Sequence, residues 1–406
     1  MPTRVATIVA VLLWWPLTPS QPAVWTPRIE SVTSPAAPGS LAPQITASAK
    51  GPLLSWIERT GDVATLKFSE WRSTAWSTPR VAVSGANWFV NWADVPSVLR
   101  LSNGTLVAQW LQKSGTSSDA YDLRLAHTSD DGRTWSSSFT PHHDGTATEH
   151  GFASLFEMSG STLGLVWLDG RAMKGHANGG HSGPDGGAMS VRFARYDRNW
   201  KQIEETPVDL KVCDCCPTAA AVTSDGPIAA FRDRTDREVR DIHVTRLTGG
   251  KWTGSRPVHD DGWTIQACPV NGPMLSARNR AVAVSWFTVE RGEGHAYAAF
   301  SSDAGKTFGT PIRLDTAVAL GRVDVELMSD GSAVAAWIEI EGQQAQFKIR
   351  RIASDGTKSP SVMVAPLPAG RTSGYPRVAT AGDDLVFAWT DTVDGKTQIR
   401  TARTAR

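Results

Sequence analysis

Residues 53–58 read LLSWIE, a short apolar run that ends in an aromatic side chain followed by a charge. Six related runs follow it: TLVAQWLQ at 105–112, LGLVWLD at 163–169, PIAAFRD at 227–233, AVAVSWFT at 281–288, AVAAWIE at 333–339 and LVFAWTD at 385–391. Their marker aromatics are Trp56, Trp110, Trp167, Phe231, Trp286, Trp337 and Trp389. Consecutive markers are 51 to 64 residues apart. A period of this size predicts stacked or radially arranged units within one large domain.

Each unit divides into four strand-like segments bounded by Gly, Ser, Asp and Pro, as in PQITAS, LLSWIE, ATLKFSEW and STPRVAV between 43 and 83. The seventh unit has only three such segments before the chain ends. Its fourth is expected near the N-terminus, where WTPRIESV at 25–32 is similar to WSTPRVAV at 76–83. We therefore predict an all-β, seven-bladed β-propeller closed by an N-terminal strand. Six blades are the alternative, if one unit decorates the ring.

Composition and the N-terminal segment indicate where the protein works. The 41 Lys and Arg residues nearly balance the 40 Asp and Glu residues, so no nucleic-acid partner is expected. Residues 1–23 have the pattern of a signal peptide, with Arg4, an apolar core over 5–17 and a cleavage region over 20–23. We predict a secreted or periplasmic protein whose single propeller domain spans 24–406, with no membrane contact beyond the cleaved signal. A retained anchor is the alternative.

Two segments share the pattern S/T-x-D-x-G-x-T-aromatic, at 128–135 and 301–308. This pattern resembles the Asp-box (BNR) repeat of the sialidase superfamily. The resemblance implies a sialidase-like propeller with these turns on one face. The opposite face, here the top face, then carries the connections from strand four to the next blade and from strand two to strand three.

Four cysteines form the strongest local feature, three of them in CDCCP at 213–217 and one in ACP at 267–269. In an exported protein they would form two disulfides, Cys216 to Cys268 and Cys213 to Cys215. Alternatively they hold copper or zinc as thiolates, with histidines as co-ligands. The candidate metal ligands are Cys213, Cys215, Cys216, Cys268, His150, His176, His181 and His259. His176 and His181 belong to a glycine-rich insertion at 175–187, which is otherwise a surface loop.

The resemblance to sialidases implies an anion-binding arginine triad, a tyrosine nucleophile activated by a glutamate, and an aspartate as acid/base. The family's R-I-P motif is missing, because the first strand reads APQI at 42–45. Tyr375 is the candidate nucleophile, with Glu290 or Glu339 as its activator. The other candidates are the arginines Arg171, Arg232, Arg234, Arg322 and Arg377 and the acids Asp169, Asp233 and Asp261.

Three functions therefore compete for the top face. The favoured hypothesis is a Cys/His site for copper or zinc with a binding or redox role. The first alternative is a sialidase-like exo-glycosidase acting on an acidic, sialic-acid-type glycan. The second is a propeller without catalysis that binds a glycan, another small molecule or a protein. Motifs for serine hydrolases, dinucleotides or P-loop phosphates do not occur.

Overall fold

A computed structural model describes residues 25–173, 187–368 and 370–405. The described strands form seven sheets, and the chain is a seven-bladed β-propeller as the repeats predicted. Apart from strands, the described residues include two short 3-10 turns, Arg171–Met173 and Arg371–Ser373. No described helix is long and apolar enough to cross a membrane.

The strands follow the order of the repeats. The first two blades contain β2 (Leu41–Thr46), β3 (Leu53–Thr60), β4 (Val63–Arg72), β5 (Ala75–Trp76), β6 (Arg80–Ala86), β7 (Ser97–Arg100), β8 (Leu106–Lys113) and β9 (Tyr121–Thr128). Blades three and four contain β10 (His150–Met158), β11 (Thr162–Asp169), β12 (Ser190–Tyr196), β13 (Gln202–Asp209), β14 (Ala219–Thr223), β15 (Gly226–Arg232), β16 (Ile242–Thr248), β17 (Lys251–Trp252) and β18 (Arg256–Pro257). Blades five and six contain β19 (Met274–Arg278), β20 (Ala281–Glu290), β21 (Glu293–Ser301), β22 (Ile312–Arg313), β23 (Val318–Leu327), β24 (Ala333–Glu341), β25 (Gln344–Ile352) and β26 (Val362–Leu367). Blade seven contains β27 (Arg377–Ala381), β28 (Asp384–Val393), β29 (Lys396–Ala405) and the N-terminal β1 (Arg28–Val32).

The N-terminal strand completes the last blade. β1 pairs antiparallel with β29, from Arg28 opposite Ala405 to Val32 opposite Thr401. The sheet order of blade seven is therefore β1-β29-β28-β27. This pairing joins the two ends of the described chain in one sheet and gives β29 a partner on its outer side.

Blade two departs from the predicted four strands. Its sheet has three described strands, β7, β8 and β9. The place of the fourth is marked by an isolated bridge between Leu125 and Phe139. The segment around Phe139 reads SSSFTPHH, and it lacks the alternation that would sustain a longer ladder.

The marker tryptophans explain why an acidic residue recurs two positions later. Trp56, Trp167 and Trp337 are fully buried. The indole Nε1 of each donates a hydrogen bond to the carboxylate two residues on, at 2.8 Å to Glu58, 2.9 Å to Asp169 and 2.8 Å to Glu339. Residues i and i+2 lie on the same face of a strand, so the following acid is the nearest acceptor for a buried indole.

The two S/T-x-D-x-G-x-T-aromatic turns, at 128–135 and 301–308, have the same pattern of hydrogen bonds. Asp130 Oδ1 accepts from Thr128 Oγ1 at 2.6 Å and from the Thr134 amide at 3.0 Å. In the second turn, Asp303 Oδ1 accepts from Ser301 Oγ at 2.8 Å and from the Thr307 amide at 2.9 Å. Each turn therefore uses one carboxylate to order its own backbone.

Buried polar side chains link the innermost parts of neighbouring blades around the central channel. Asp94 Oδ2 accepts from the Phe152 amide at 2.8 Å, and Asp324 Oδ2 accepts from the Val378 amide at 3.0 Å. Burial raises the pKa of Asp94 to about 7 and that of Asp324 to about 6, although the amide bonds favour the charged forms. The contacts between these neighbouring blades therefore include carboxyl groups, Asp94 and Asp324, that are shielded from water.

Replacing Ile29 tests the closing strand. The Ile29 side chain packs against the apolar cluster between blades six and seven. We expect Ile29→Asp to lower the free energy of unfolding by about 1–3 kcal/mol, because a charge would be placed against apolar groups. Urea unfolding measures this loss. Ser31→Asp is the matched control, since Ser31 is exposed on the same strand, and equal losses in both variants would contradict a packing role.

Asp94→Asn tests the buried carboxyl. Since its folded pKa of about 7 exceeds the unfolded value of about 3.9, Asp94 stabilises the fold below about pH 4, and this contribution is lost as the pH rises to 7. We expect the variant to gain stability relative to wild type between about pH 4 and 7, by about 1.4 kcal/mol per pH unit, with no further gain above pH 7. Denaturant unfolding across this range measures the difference. Asp62→Asn, in an exposed turn, should leave the profile parallel to wild type, and a parallel Asp94→Asn profile would refute the idea.

Candidate metal centre

The structure brings three of the four cysteines together in the loop between β13 and β14, which connects blade three to blade four. The Cys213 amide donates to the Arg232 carbonyl at 2.9 Å, and this bond fixes the loop against β15. The Cys213 sulfur lies 3.4 Å from that of Cys216 and 4.0 Å from that of Cys215. Cys213 and Cys216 are buried, and Cys215 is half-buried.

The fourth cysteine approaches this loop from the connection between blades four and five. The Cys268 Sγ lies 3.6 Å from Asp214 Oδ1, and the ligand atoms of Asp214, Cys215 and Cys268 are all within 4.8 Å of one another. Cys215 therefore belongs to both groups. All four cysteines are free thiols, so neither of the two disulfides considered from the sequence is present.

A buried arginine sets the charge at the cysteines. Arg240 Nη1 donates to Cys213 Sγ at 3.3 Å, while its Nη2 donates to Glu238 at 2.8 Å. Burial alone would raise the pKa of Cys213, but hydrogen bonds from Cys215 and Cys216 and the charges of Arg240 and Arg232 hold this pKa well below its usual value. Burial raises the pKa of Cys215 and Cys216. Of the three thiols, Cys213 is therefore the one whose surroundings favour the thiolate.

The sulfur spacing suits a shared ion. With metal–sulfur bonds of about 2.3 Å, two ligands of one tetrahedral ion lie about 3.8 Å apart. The two distances from the Cys213 sulfur, 3.4 and 4.0 Å, lie on either side of that separation.

Two of the four histidines predicted as co-ligands, His150 and His259, are among the described residues and have partners other than the cysteines. His150 is fully buried, lies 3.1 Å from Asp144 and stacks on His142 with ring centroids 3.7 Å apart. His259 is exposed and contacts Asp261 at 2.9 Å. His176 and His181 lie outside the described residues. Within the described ranges, the cysteine groups contain no histidine, and their additional ligand is Asp214.

The candidate nucleophile Tyr375 and its two candidate activators form hydrogen bonds with other groups and not with each other. The buried Tyr375 hydroxyl donates to the Val270 carbonyl at 2.6 Å. Glu290 accepts from the Tyr297 hydroxyl at 2.7 Å. Glu339 accepts from Trp337 and from Lys348, the latter at 2.7 Å. The Tyr375 hydroxyl therefore has a backbone partner, whereas the glutamates bond to other side chains.

The candidate arginines are each held by groups of the protein. Arg232 donates to the carbonyls of Asn271 and Phe287 at 2.7 to 2.9 Å, and its guanidinium lies 4.8 Å from the Trp263 ring. Arg171 donates to Asp169 at 2.6 Å and to Glu205 at 2.7 Å. The remaining candidates contact other groups: Arg234 contacts Glu238, Arg322 contacts Ser373 and the Trp92 ring, and Arg377 lies over the Tyr375 ring.

Two of the candidate acids have raised pKa values. Burial and the nearby Asp209 raise the pKa of Asp233 to about 7. Burial also raises the pKa of Asp261, which accepts from the Trp286 indole and contacts His259. The third, Asp169, accepts hydrogen bonds from Trp167 and Arg171, and Arg171 with the nearby His150 holds its pKa below the usual value against the effect of burial.

Arg240 and Asp214 are functional candidates that sequence reasoning missed. Asp214 stands between Cys213 and Cys215 in the CDCC motif, and an aspartate at this position is not by itself a sign of metal binding. Arg240 is 27 positions from Cys213, and no local pattern links the two. Only the buried setting of Arg240, in a segment that leads into β16, distinguishes it from surface arginines.

No family model and no curated protein matches this chain. Solved structures do. A protein of unknown function from Dyadobacter fermentans is 11% identical, with a TM-score of 0.51 over 93% of this chain and 97% of its own. A mutant of NanB sialidase from Streptococcus pneumoniae is 8% identical, with a TM-score of 0.51 over 93% and 94% of the two chains. The polysaccharide lyase Uly1 is 9% identical, with a TM-score of 0.53 over 89% of each chain. At such identities, the likeness establishes the propeller fold and no activity.

Arg240→Met tests the electrostatics of the cysteine loop. Removing the guanidinium is expected to raise the pKa of Cys213, so the thiolate absorbance of the reduced, metal-free protein at neutral pH should fall by more than half. Ultraviolet titration of the thiolate measures the change. Arg280→Met, at an exposed ion pair with Asp225, is the control and should leave the titration unchanged. An unaltered titration in Arg240→Met would contradict this role.

Proposed function

We propose that this protein is an exported metal-binding propeller that holds one soft transition-metal ion through Cys213, Cys215 and Cys216. The observation that carries the proposal is the convergence of three sulfurs, with the Cys213 sulfur 3.4 and 4.0 Å from the other two. Thiolates select copper(I) and zinc over harder ions.

The surroundings support a thiolate site. Three thiolates would carry more negative charge than one soft ion neutralises, and the buried Arg240 and Arg232 offset part of the excess. Cys268 and Asp214 lie next to Cys215 and offer a fourth ligand. Copper(I) is expected to use the three clustered sulfurs, whereas zinc requires a fourth ligand for its tetrahedral site.

A sialidase-like glycosidase acting on an acidic glycan is the second candidate function. The fold likeness to a sialidase and to a polysaccharide lyase favours testing it. The hydrogen bonds of Tyr375 with Val270 and of Glu290 with Tyr297 weigh against the simplest nucleophile pair. It ranks ahead of a non-catalytic glycan- or protein-binding propeller because two of the structures with a similar fold are a sialidase and a polysaccharide lyase.

Metal analysis of protein purified without chelator tests the proposal. We expect about one equivalent of sulfur-bound copper or zinc per chain, and we expect Cys213→Ser and Cys216→Ser each to lower the affinity of this sulfur site at least tenfold, because each removes a sulfur ligand. Competition with a chromogenic chelator measures the affinity. Tyr375→Phe is the control that should leave binding unchanged.

Cys268→Ser distinguishes the two metals. Copper(I) affinity should change less than threefold in this variant, while zinc affinity should fall because a fourth ligand is lost. Wild-type protein that binds neither ion after full reduction would overturn the proposal. Aryl sialoside turnover that Tyr375→Phe abolishes would instead favour the glycosidase.

A further inference from the structure

A second group of metal-ligating side chains lies between blades two and three, apart from the cysteines. His142 and His150 stack face to face, with centroids 3.7 Å apart and planes 3° apart. Asp122 Oδ1 lies 4.0 Å from both His142 Nε2 and His150 Nδ1. The two nitrogens and the oxygen are all within 4.8 Å of one another.

One of these nitrogens has no hydrogen-bond partner in the described structure. The His142 side chain is only 6% exposed, and its Nε2 is buried without an acceptor or donor within bonding distance. A buried polar atom left in this state is costly, and an ion or a water is the usual explanation. His142 and Asp122 also line a surface cavity of about 510 Å³, which gives solutes a route to the group.

Asp144 holds both rings from the opposite edge. Its Oδ2 lies 3.4 Å from His142 Nδ1 and 3.1 Å from His150 Nε2. A carboxylate in this position takes the N–H of a metal-binding histidine, which fixes the ring and leaves the other nitrogen free to ligate. Asp144 itself is ordered by hydrogen bonds from Thr146 and approached by Arg171 at 3.5 Å.

We infer that His142 Nε2, His150 Nδ1 and Asp122 form a binding site for a divalent transition ion of zinc type, separate from the cysteine site. Zinc takes histidine nitrogens and carboxylate oxygens at about 2.0–2.2 Å, so two of its tetrahedral ligands lie about 3.4 Å apart. The distances of 4.0 Å must therefore shorten by about half an ångström, and one ring must turn out of the stack, because two parallel rings cannot both direct an in-plane nitrogen lone pair at one ion. His150 Nδ1 also gives up its contact with the Thr148 carbonyl at 3.1 Å.

Charge and coordination number both suit such an ion. Asp122, Asp144 and Asp169 surround the two histidines, and Arg171 neutralises only part of their charge. Three protein ligands leave a fourth position open, as in zinc sites that bind water or a substrate. Nitrogen and oxygen donors distinguish this site from the sulfur site, so each is expected to prefer a different ion.

Cobalt(II) spectroscopy of the full-length chain tests the site, because this ion reports its ligands in its absorption spectrum. In the Cys213→Ser/Cys216→Ser variant we expect about one equivalent of cobalt(II), displaced by zinc, with ligand-field bands and no thiolate charge-transfer band. Adding His142→Ala or Asp122→Asn should weaken binding at least tenfold. His143→Ala is the matched control, since the exposed His143 bonds to Gln202 and should bind as the parent does.

A second measurement tests the site if the cysteine double variant does not fold. In otherwise wild-type protein, His142→Ala and Asp122→Asn should each remove the equivalent of cobalt(II) that lacks sulfur ligands and leave any thiolate band intact. Absence of the sulfur-free spectrum in wild type overturns the inference, as does an equal loss in His143→Ala. Failure of the cysteine site alone would remove only the thiolate band, so the two proposals fail independently.

Discussion

The need of a buried indole N–H for an acceptor organises the edges of three blades, those of Trp56, Trp167 and Trp337. In these blades the tryptophan of the second strand fills the space between sheets, and its buried Nε1 is stabilised by an acceptor. Glu58, Asp169 and Glu339 supply the acceptor two residues later. These carboxylates are themselves shielded from water and in turn require cations, which are Lys67, Arg171 and Lys348. Much of the charge on the top face therefore follows from the packing of the core.

The hydrogen bonds to buried indoles help to distinguish carboxylates with a structural role from carboxylates that are available for function. Asp169 and Glu339, which a sialidase-like mechanism would recruit, already accept from an indole and a cation. In blade four the marker is Phe231, which has no N–H and needs no acceptor. Arg232 turns inward to backbone carbonyls there, and Asp233 is left with a raised pKa. The pattern is thus relaxed in the blade that the CDCC loop enters.

Sequence reasoning predicted the ring well and the site only in part. Blade number and the closing strand at 25–32 follow from local periodicity, which a single chain displays directly. The grouping of Cys213, Cys215 and Cys216 also follows from their spacing. The partners of His150 do not follow from the sequence, because the packing of two blades decides which loop lies next to this residue. The structure pairs it with His142 and Asp144, and no sequence pattern links Tyr375 to the Val270 carbonyl 105 positions away.

Blade three lies between two donor sets of opposite character. On one side, Asp122 and Asp144 make the surroundings of His142 and His150 negative, which favours a divalent cation on nitrogen and oxygen. On the other side, Arg240 makes the surroundings of Cys213 positive, which favours a thiolate and a soft, weakly charged ion. An ion that suits one set is disfavoured at the other by donor type and by local charge. The two proposed sites are therefore expected to differ in metal preference although the blades that carry them repeat one pattern.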